Sequence, residues 1–357
     1  MEDILLQHQE KYPRMTAIDY YKLIYQHTFG VRHDLMAEEK SLNRLVDEYN
    51  QISKDLIGQQ NYYEEIGNGY VRINFGAEKM DTHLLPALNK LFIATGKREE
   101  GTIEEFEGNL HVALDLSRKG KLNVSSEEIE EVIAFYKFKD YPAASHSTVY
   151  REHYAPHYRL LDKKYVPYIE AIAAIIQLEQ LDEKQIIAID GRCGSGKSTF
   201  ASLIETLFDC NIFHMDDFFL PKELKTQERL NELGGNVHYE RVLEQVVEPL
   251  KKEKEVKLIP FNCSINELEQ AIGVPFKKLN FIEGVYSLHP ELEAHYDYKI
   301  FMTVDAETQI TRIRERSGEE KLHKFINEWI PLEERYFKEL KIEEKAAVVI
   351  DTSVVKN

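Results

Sequence analysis

The chain has 357 residues, of which 43% are hydrophobic and 30% are charged, and its formal net charge is −17. That length allows two domains, and that composition is typical of a folded globular protein rather than a disordered one. Proteins that bind nucleic acid need many lysines and arginines to displace the counterions of the phosphates. The acidic balance therefore argues against a nucleic-acid partner.

The sequence contains no apolar run long enough to span a bilayer, so we expect no membrane partner. Residues 1–4 lack the basic and apolar regions of a secretory signal. The three cysteines, Cys193, Cys210 and Cys263, are too few and too scattered for a disulfide framework or a zinc site. We expect a cytoplasmic protein. Its oligomeric state is left open, a homo-oligomer included.

Residues 1–165 are predicted to form a mainly helical α+β domain. Capping boxes at Thr16 and Ser125 predict the starts of two helices. Residues 70–75 alternate with period two, which predicts a strand with one apolar face and one polar face that carries Arg72. No known family is recognised in this half.

The densest polar and aromatic cluster of the chain covers residues 141–159. His153 and His157 have the i,i+4 spacing of metal ligands on a helix, but Pro156 between them makes a continuous helix doubtful. A packed interface between domains is the favoured interpretation, and a small-molecule pocket or a metal site remain as alternatives.

Two arginines of this cluster, Arg151 and Arg159, are candidate substrate ligands, because a guanidinium binds phosphate or carboxylate through two parallel hydrogen bonds. We expect the first half of the chain to help build the acceptor site through them.

A connecting helix is predicted for residues 166–184, and residues 185–357 then alternate short apolar runs with helical patterns. This alternation predicts βαβ units, a parallel sheet and flanking helices, which is an α/β fold. The candidate strands are residues 186–189, 212–214, 279–282, 300–304 and 348–350.

The first of these strands runs into a complete G-x-x-x-x-G-K-[ST] motif, the P-loop. Its glycines let backbone N–H groups point at the phosphates of ATP, and the following helix adds its positive dipole end. Lys197 should reach the β- and γ-phosphates, and Ser198 should ligate Mg²⁺. The predicted nucleotide-binding residues are Gly191, Gly194, Ser195, Gly196, Lys197, Ser198 and Thr199.

After the second strand comes His-Met-Asp-Asp-Phe-Phe, residues 214–219. This segment resembles the uridine kinase and phosphoribulokinase family, and most closely its nicotinamide riboside kinase and pantothenate kinase branches. The resemblance covers about residues 185–355 and implies that Asp216 is the catalytic base, with Asp217 beside it. A carboxylate at the carboxyl end of a strand is well placed for that role. A turn formed by two aspartates is the alternative.

Two further segments resemble parts of the same family. Phe-Ile-Glu-Gly-Val-Tyr, residues 281–286, resembles its acidic strand end, which implies that Glu283 holds Mg²⁺. Residues 311–316 resemble the lid that closes over ATP, which implies that Arg312 and Arg316 neutralise charge on the transferring phosphoryl group. A surface glutamate and a solvated charged helix are the respective alternatives.

The resemblance has a departure. Uridine kinases hold the ribose with an aspartate, and the nearest segment here, residues 236–239, has His238 in its place. This weakens a nucleoside assignment. Tyr239 and Arg241 are candidates for binding a different, anionic acceptor, and a plain helix start is an equal alternative.

These observations together predict a kinase that transfers the γ-phosphoryl group of ATP to a hydroxyl of a small nucleoside-, vitamin- or sugar-like molecule. The main alternative is an ATP-binding regulatory protein whose N-terminal half is the output. A fusion of two activities is a third hypothesis. The presence of Asp216 and Glu283 together with Lys197 favours the enzyme, because a sensor needs no base.

Overall fold

The computed structural model describes residues 1–31, 37–53, 55, 57–58, 60–98, 101–262 and 265–353. The chain divides into two compact units, Met1–Ile169 and Glu170–Lys356. Cys263 lies outside the described residues. Within the described ranges, no helix is both long and apolar enough to cross a membrane.

The first unit is mainly helical with one small sheet, as predicted. Its helices are α1 (Glu2–Lys11), α2 (Ala17–Phe29), α3 (Glu38–Asn50), α4 (Leu85–Thr95), α5 (Ile103–Arg118), α6 (Ser126–Phe138) and α7 (Thr148–Tyr154). Its strands are β1 (Tyr63–Gly67), β2 (Tyr70–Asn74) and β3 (Tyr158–Asp162), in the antiparallel order β1-β2-β3. Both predicted capping boxes are present, at the starts of α2 and α6.

The predicted strand β2 is present, and Arg72 on its predicted polar face is only 2% exposed. Its guanidinium donates to Gln26 Oε1 at 2.8 and 3.1 Å and to Glu64 Oε2 at 3.4 Å. It also lies over the ring of Tyr158, 4.7 Å from the centroid. Arg72 is therefore buried because tertiary partners satisfy its charge and its donors.

A second buried polar group joins α2 to the segment before α7. Asp19 Oδ1 accepts from His146 Nδ1 at 3.0 Å, and Asp19 Oδ2 accepts from Ser147 Oγ at 2.6 Å. Burial alone would raise the pKa of Asp19, but the hydrogen bonds from His146, Ser147 and Thr16 outweigh burial and lower the pKa to about 2. Burial lowers the pKa of His146 to about 4, although Asp19 opposes that shift. The imidazole is thus neutral at pH 7.

The second unit contains a five-stranded parallel sheet, whose strands are β4 (Gln185–Gly191), β5 (Cys210–His214), β10 (Leu279–Glu283), β11 (Tyr298–Thr303) and β12 (Val348–Asp351). They lie in the order β12-β11-β4-β10-β5. The smaller strands are β6 (Val256–Leu258), β7 (Phe261–Asn262), β8 (Glu267–Leu268) and β9 (Ile272–Val274). The helices are α8 (Ile169–Glu179), α9 (Lys197–Leu207), α10 (Gln227–Asn231), α11 (Tyr239–Val242), α12 (Glu248–Lys251), α13 (Pro290–Glu293), α14 (Ala306–Lys324) and α15 (Ile330–Glu339).

All five predicted strands of this sheet are confirmed, and they form the α/β fold that the alternating pattern predicted. The central strand β4 is buried along its whole length, as expected for a strand that is covered on both faces. Helix α8 begins at Ile169, three residues later than the predicted connecting helix, because a 3₁₀ helix occupies Lys163–Tyr168.

The strand register fixes the position of the site. Glu283, the last residue of β10, lies beside His214 of β5 and beside Ile189 of β4. The carboxyl ends of the central strands therefore meet at one edge of the sheet, where doubly wound folds bind their ligands.

The buried Asp19–His146 pair predicts that the first unit loses stability in acid. Below pH 6.5 an unfolded histidine takes up a proton that folded His146 resists down to about pH 4, so the free energy of unfolding falls as pH falls through that range. The contribution of Asp19 is lost at lower pH still, between about 4 and 2. In denaturant titrations, His146→Gln should reduce the change in unfolding free energy between pH 6.5 and 4 by about 1 to 3 kcal/mol.

The matched control is His111→Gln, because His111 is exposed on α5 and bonds only to a backbone carbonyl of its own helix. That substitution should leave the pH dependence unchanged. An equal effect of the two variants would contradict the assignment to the buried pair.

Candidate functional site

The P-loop leaves β4 through a backbone that only glycine can follow. Gly191 has φ +142°, and a Cβ atom there would lie 2.0 Å from the carbonyl oxygen of Met302 on β11. Gly194 and Gly196 have φ +75° and +90°, in the left-handed region that glycine adopts without strain. Helix α9 then begins at Lys197, so the motif has the predicted strand–loop–helix context.

The carbonyl oxygens of the loop are each held by a side chain from the C-terminal part of the unit. Gln309 Nε2 donates to Cys193 O at 2.8 Å, Arg312 Nη1 donates to Gly194 O at 3.1 Å, and Thr352 Oγ1 donates to Ser195 O at 2.9 Å. These three contacts hold the loop in its curled conformation.

Two glutamates of α15 also contact the loop. Glu333 Oε2 accepts from the backbone N–H of Cys193 at 3.0 Å, and Glu334 pairs with the guanidinium of Arg192 at 2.7 and 3.1 Å. Burial raises the pKa of the Cys193 thiol, and so does nearby Glu333. Cys193 is therefore a packing residue rather than a reactive thiolate.

Lys197 lies over the loop as a P-loop lysine should. Its Nζ donates to the carbonyl oxygens of Gly191 at 2.7 Å and Arg192 at 3.0 Å, and the residue is 8% exposed. Ser198 and Thr199 follow on the first, exposed turn of α9. The amino end of α9 and the ammonium of Lys197 together make this loop an anion-binding site.

The predicted metal ligands Ser198 and Glu283 are brought together. Ser198 Oγ donates to Glu283 Oε1 at 3.3 Å, and His214 Nδ1 donates to the same oxygen at 2.6 Å. That hydrogen bond raises the pKa of His214. Within the described residues, no group of three or more His, Cys, Asp and Glu side chains could hold a metal ion alone. One carboxylate and one hydroxyl suit Mg²⁺, which completes its shell with phosphate oxygens and water.

Asp216 and Asp217 occupy the 3₁₀ turn Met215–Phe218 that directly follows β5. Partial desolvation in the cleft raises the pKa of Asp216, and the negative charge of Glu283 adds to that shift, while Lys197 opposes it. Desolvation likewise raises the pKa of Asp217, against the effect of His214. Asp216 thus lies near the P-loop lysine and the predicted metal ligand Glu283, and its role as the base stays a prediction.

The two arginines of the predicted lid differ in their surroundings. Arg312 is held by Gly194 O and by Thr352, to which it donates at 2.8 and 3.1 Å. Arg316 is exposed on the same helix and lies 5.7 Å from the ring centroid of Phe325. A break at Gly318, with φ +76°, interrupts α14 just beyond Arg316. Roles for both arginines at the transferring phosphoryl group stay predictions.

The three candidate acceptor residues lie at and just after the start of α11. Tyr239 is engaged by its neighbours, since its hydroxyl accepts from Arg229 and its ring stacks on His289 with centroids 4.2 Å apart. Arg241 is 7% exposed, and its Nη2 donates to the carbonyl of Ile259. Nε and Nη1 of Arg241 have no hydrogen-bond acceptor among the described residues. Nδ1 of His238 has no hydrogen-bond partner among them either.

The N-terminal cluster does not form the helix that a paired-histidine metal site needs. Helix α7 ends at Tyr154, and Ala155 adopts a left-handed conformation, so His153 and His157 do not share a helix. Arg159 Nη1 donates to Glu48 at 2.6 Å within the first unit, and Arg151 is exposed. Their part in an acceptor site stays a prediction.

Comparison with known proteins identifies the second unit. Residues 165–350, about half of the chain, match the model described as the KAP family P-loop domain. The chain belongs to this family. No curated protein sequence matches the chain significantly. Membership implies a nucleotide-binding P-loop domain that usually acts with Mg²⁺, so the predicted ATP and Mg²⁺ are supported at that level.

Solved kinases have a similar arrangement at low identity. A structure described as a possible uridine kinase from Bacillus stearothermophilus has 21% identity and a TM-score of 0.41, covering 51% of this chain and 96% of that one. Shikimate kinase from Acinetobacter baumannii has 16% identity and a TM-score of 0.27, covering 49% and 88%. Similarities at these identities and TM-scores do not support a conclusion about activity. The nicotinamide riboside kinase and pantothenate kinase branches stay predictions.

Several residues that shape this KAP family site gave no signal in the sequence. Gln309, Glu333 and Thr352 hold the P-loop from positions more than a hundred residues away. The sequence marks His214 only as the end of a predicted strand, in the segment that carries Asp216. It does not indicate the hydrogen bond from His214 to Glu283.

The geometry of the loop predicts nucleotide binding that depends on Lys197. Mg²⁺ and ATP should raise the melting temperature of the second unit, because a ligand at about 100 times its Kd stabilises a fold by about 2.7 kcal/mol. Lys197→Ala should remove most of that shift, and chelation of Mg²⁺ should reduce it in the unchanged chain. Thermal unfolding with and without ligand measures both effects.

Lys252→Ala is the control, since Lys252 is an exposed lysine of the same unit that pairs with Glu248. The Lys252→Ala variant should show the same rise in melting temperature with Mg²⁺ and ATP as the unchanged chain. Absence of any shift at millimolar ATP in the unchanged chain would refute the assignment of the loop.

Proposed function

We propose that the second unit is an ATP-dependent kinase that transfers the γ-phosphoryl group to a hydroxyl of a small nucleoside-, vitamin- or sugar-like molecule. The observation that carries the proposal is the position of Asp216. Asp216 lies in the turn that directly follows β5, and the charges of Lys197 and Glu283 affect the pKa of its carboxylate. A protein that only senses ATP needs the loop and the metal ligands but has no use for a base there.

The raised pKa of Asp216 suits a general base, because a carboxylate takes up a proton more readily as its pKa approaches the working pH. In the proposed step, Asp216 accepts the proton of the acceptor hydroxyl while that oxygen bonds to the γ-phosphorus. The bond between the γ-phosphorus and the bridging oxygen breaks, and ADP leaves. Lys197 neutralises charge on the β- and γ-phosphates throughout.

Mg²⁺ would be held by Ser198 and Glu283, and it would neutralise charge on the phosphates when bound. His214 fixes the orientation of Glu283 through their 2.6 Å hydrogen bond. Fixing the carboxylate in this way is the usual task of a neighbour to a metal ligand.

The acceptor is proposed to carry an anionic group in addition to its hydroxyl. Arg241 supports this, because its guanidinium is buried with two nitrogen atoms that no described residue accepts from. Burial lowers the pKa of Arg241, and the negative charge of Asp217 opposes that shift. His238 and Asp217 would complete the polar side of the acceptor site.

An ATP-binding regulatory protein is the second candidate function. It is favoured by the family match, which describes a P-loop domain and names no transfer reaction. In that case the chain would bind or hydrolyse ATP without an acceptor, and the first unit would be the output.

The kinase proposal predicts that Asp216→Asn separates binding from transfer. Turnover should fall by about 10²- to 10⁴-fold, the usual contribution of a positioned general base, while the melting shift caused by Mg²⁺ and ATP persists. The assay incubates the chain with ATP, Mg²⁺ and pools of hydroxyl-bearing metabolites, and identifies the phosphorylated product by mass.

Asp217→Asn is the matched comparison, since it removes the adjacent carboxylate from the same turn. A larger loss with Asp217→Asn would move the base by one residue. Loss of ATP binding and turnover together in Asp216→Asn would make Asp216 a metal or folding residue. Hydrolysis of ATP with no phosphorylated product in any pool would favour the regulatory function.

A further inference from the structure

The first unit contains a cavity of its own, with a volume of about 180 Å³. It lies between α2, α3 and the strand β3, and polar side chains dominate its lining. Its charged lining residues are Lys22, Arg44, Glu48 and Arg159.

Three of the polar lining residues are buried, namely Gln26, Ser41 and His146, which are 7%, 4% and 8% exposed. The cavity is thus lined by polar side chains that are held inside the fold, and a lining of this kind suits a polar ligand better than an apolar one.

The side chains around the cavity are held in place from behind. His146 Nδ1 bonds to Asp19 at 3.0 Å, and its Nε2 bonds to the hydroxyl of Tyr158 at 2.9 Å. The ring of Tyr158 lies against the guanidinium of Arg72, which also bonds to Gln26. A network that is satisfied without a ligand keeps the site formed, so that binding requires little ordering.

The charges at the cavity favour an anion. Lys22, Arg44 and Arg159 contribute three positive charges, and Glu48 contributes one negative charge. Glu48 accepts from Arg159 at 2.6 Å, which leaves the other two cations without a carboxylate in the lining. Burial lowers the pKa of His146 to about 4, so the imidazole adds no charge at neutral pH.

We propose that this cavity is a binding site for a small dianion, either a phosphate or a dicarboxylate. The site belongs to the first unit alone and does not depend on the proposed kinase function. Arg159 and Arg44 bind the anionic group, and the hydrogen-bonded floor formed by His146, Tyr158 and Gln26 keeps the cavity in shape beneath it.

The volume limits the size of the ligand. Sites for drug-sized ligands measure about 300–1,000 Å³, and this cavity is smaller, with about 180 Å³. It therefore suits a small ligand, and inorganic phosphate and malonate are suitable probes for the two kinds of dianion.

The test is a titration of the full chain with each probe, followed by NMR of the labelled histidine rings. The His146 signal is assigned from its absence in His146→Gln. A saturable shift of that signal is expected with at least one probe, and the probe that binds more tightly identifies the ligand as phosphate-like or carboxylate-like. Ring signals of His111 and His295, which lie outside the cavity, should not follow the same curve.

Substitutions at the cavity should change the affinity in opposite directions. Arg159→Gln should raise the Kd by about 10- to 100-fold, because a hydrogen bond to a charged group contributes about 1.5–3 kcal/mol. Glu48→Gln should lower the Kd several-fold, because it removes the repelling carboxylate and frees Arg159. Arg44→Gln, at an exposed position, should raise the Kd several-fold without affecting folding. Arg118→Gln, on the exposed face of α5, should have no effect.

If Glu48→Gln weakened the binding of the probe as much as Arg159→Gln does, the pair would only support the fold. That result would overturn the proposal. So would the absence of a saturable His146 shift with either probe at tens of millimolar. An unchanged Kd in Arg44→Gln and Arg159→Gln would place any bound anion elsewhere, and it would overturn the proposal as well.

Discussion

The second unit depends on one constraint of the peptide backbone, which is that a loop with N–H groups turned inward must turn its carbonyl oxygens outward. In the P-loop three consecutive carbonyls, from residues 193–195, each accept a hydrogen bond from a different side chain. The donors are Gln309, Arg312 and Thr352. A buried carbonyl without a donor costs about 1–3 kcal/mol, so three such contacts decide whether the loop keeps its shape before a nucleotide arrives. The strand order brings α14 and the end of β12 to this loop.

A buried carboxylate, Asp190, performs a related task just before the P-loop. Asp190 is fully buried at the end of β4 and accepts from the backbone N–H groups of Gly191, Tyr286 and Leu288 and from the hydroxyl of Tyr336. These donors come from the loop, from the segment after β10 and from α15. Burial raises the pKa of Asp190, and the hydrogen bonds from Leu288, Tyr336 and Gly191 oppose that rise. Asp190 thus joins three elements at the edge of the sheet that carries Glu283 and Asp216.

The parts of this structure that the sequence predicted are those coded by neighbours in the chain. The five strands appear as short apolar runs, the P-loop as a spaced motif, and the helix starts at Thr16 and Ser125 as capping boxes. The parts that were missed depend on partners that are distant in sequence. The alternation in β2 predicted a polar face that carries Arg72 but not its burial, because Glu64 and Gln26 become its partners only after β1 and α2 have packed. The supports of the P-loop were missed for the same reason.

The ionisable groups of the two units have opposite electrostatic environments. In the first unit, Asp19 and Glu64 are buried among donors and cations that outweigh the effect of burial, so their pKa values are lowered. Just after β5 in the second unit, Asp216 and Asp217 have raised pKa values, because the nearby cations do not balance desolvation and the negative charges of Glu283 beside Asp216 and of Asp216 beside Asp217. A fold gains no stability from unbalanced carboxylates, and such groups cluster where function requires them. Bound Mg²⁺ would bring the missing positive charge to Glu283 and its neighbours. The deficit of positive charge therefore lies where a metal–nucleotide complex and a proton-donating hydroxyl would meet.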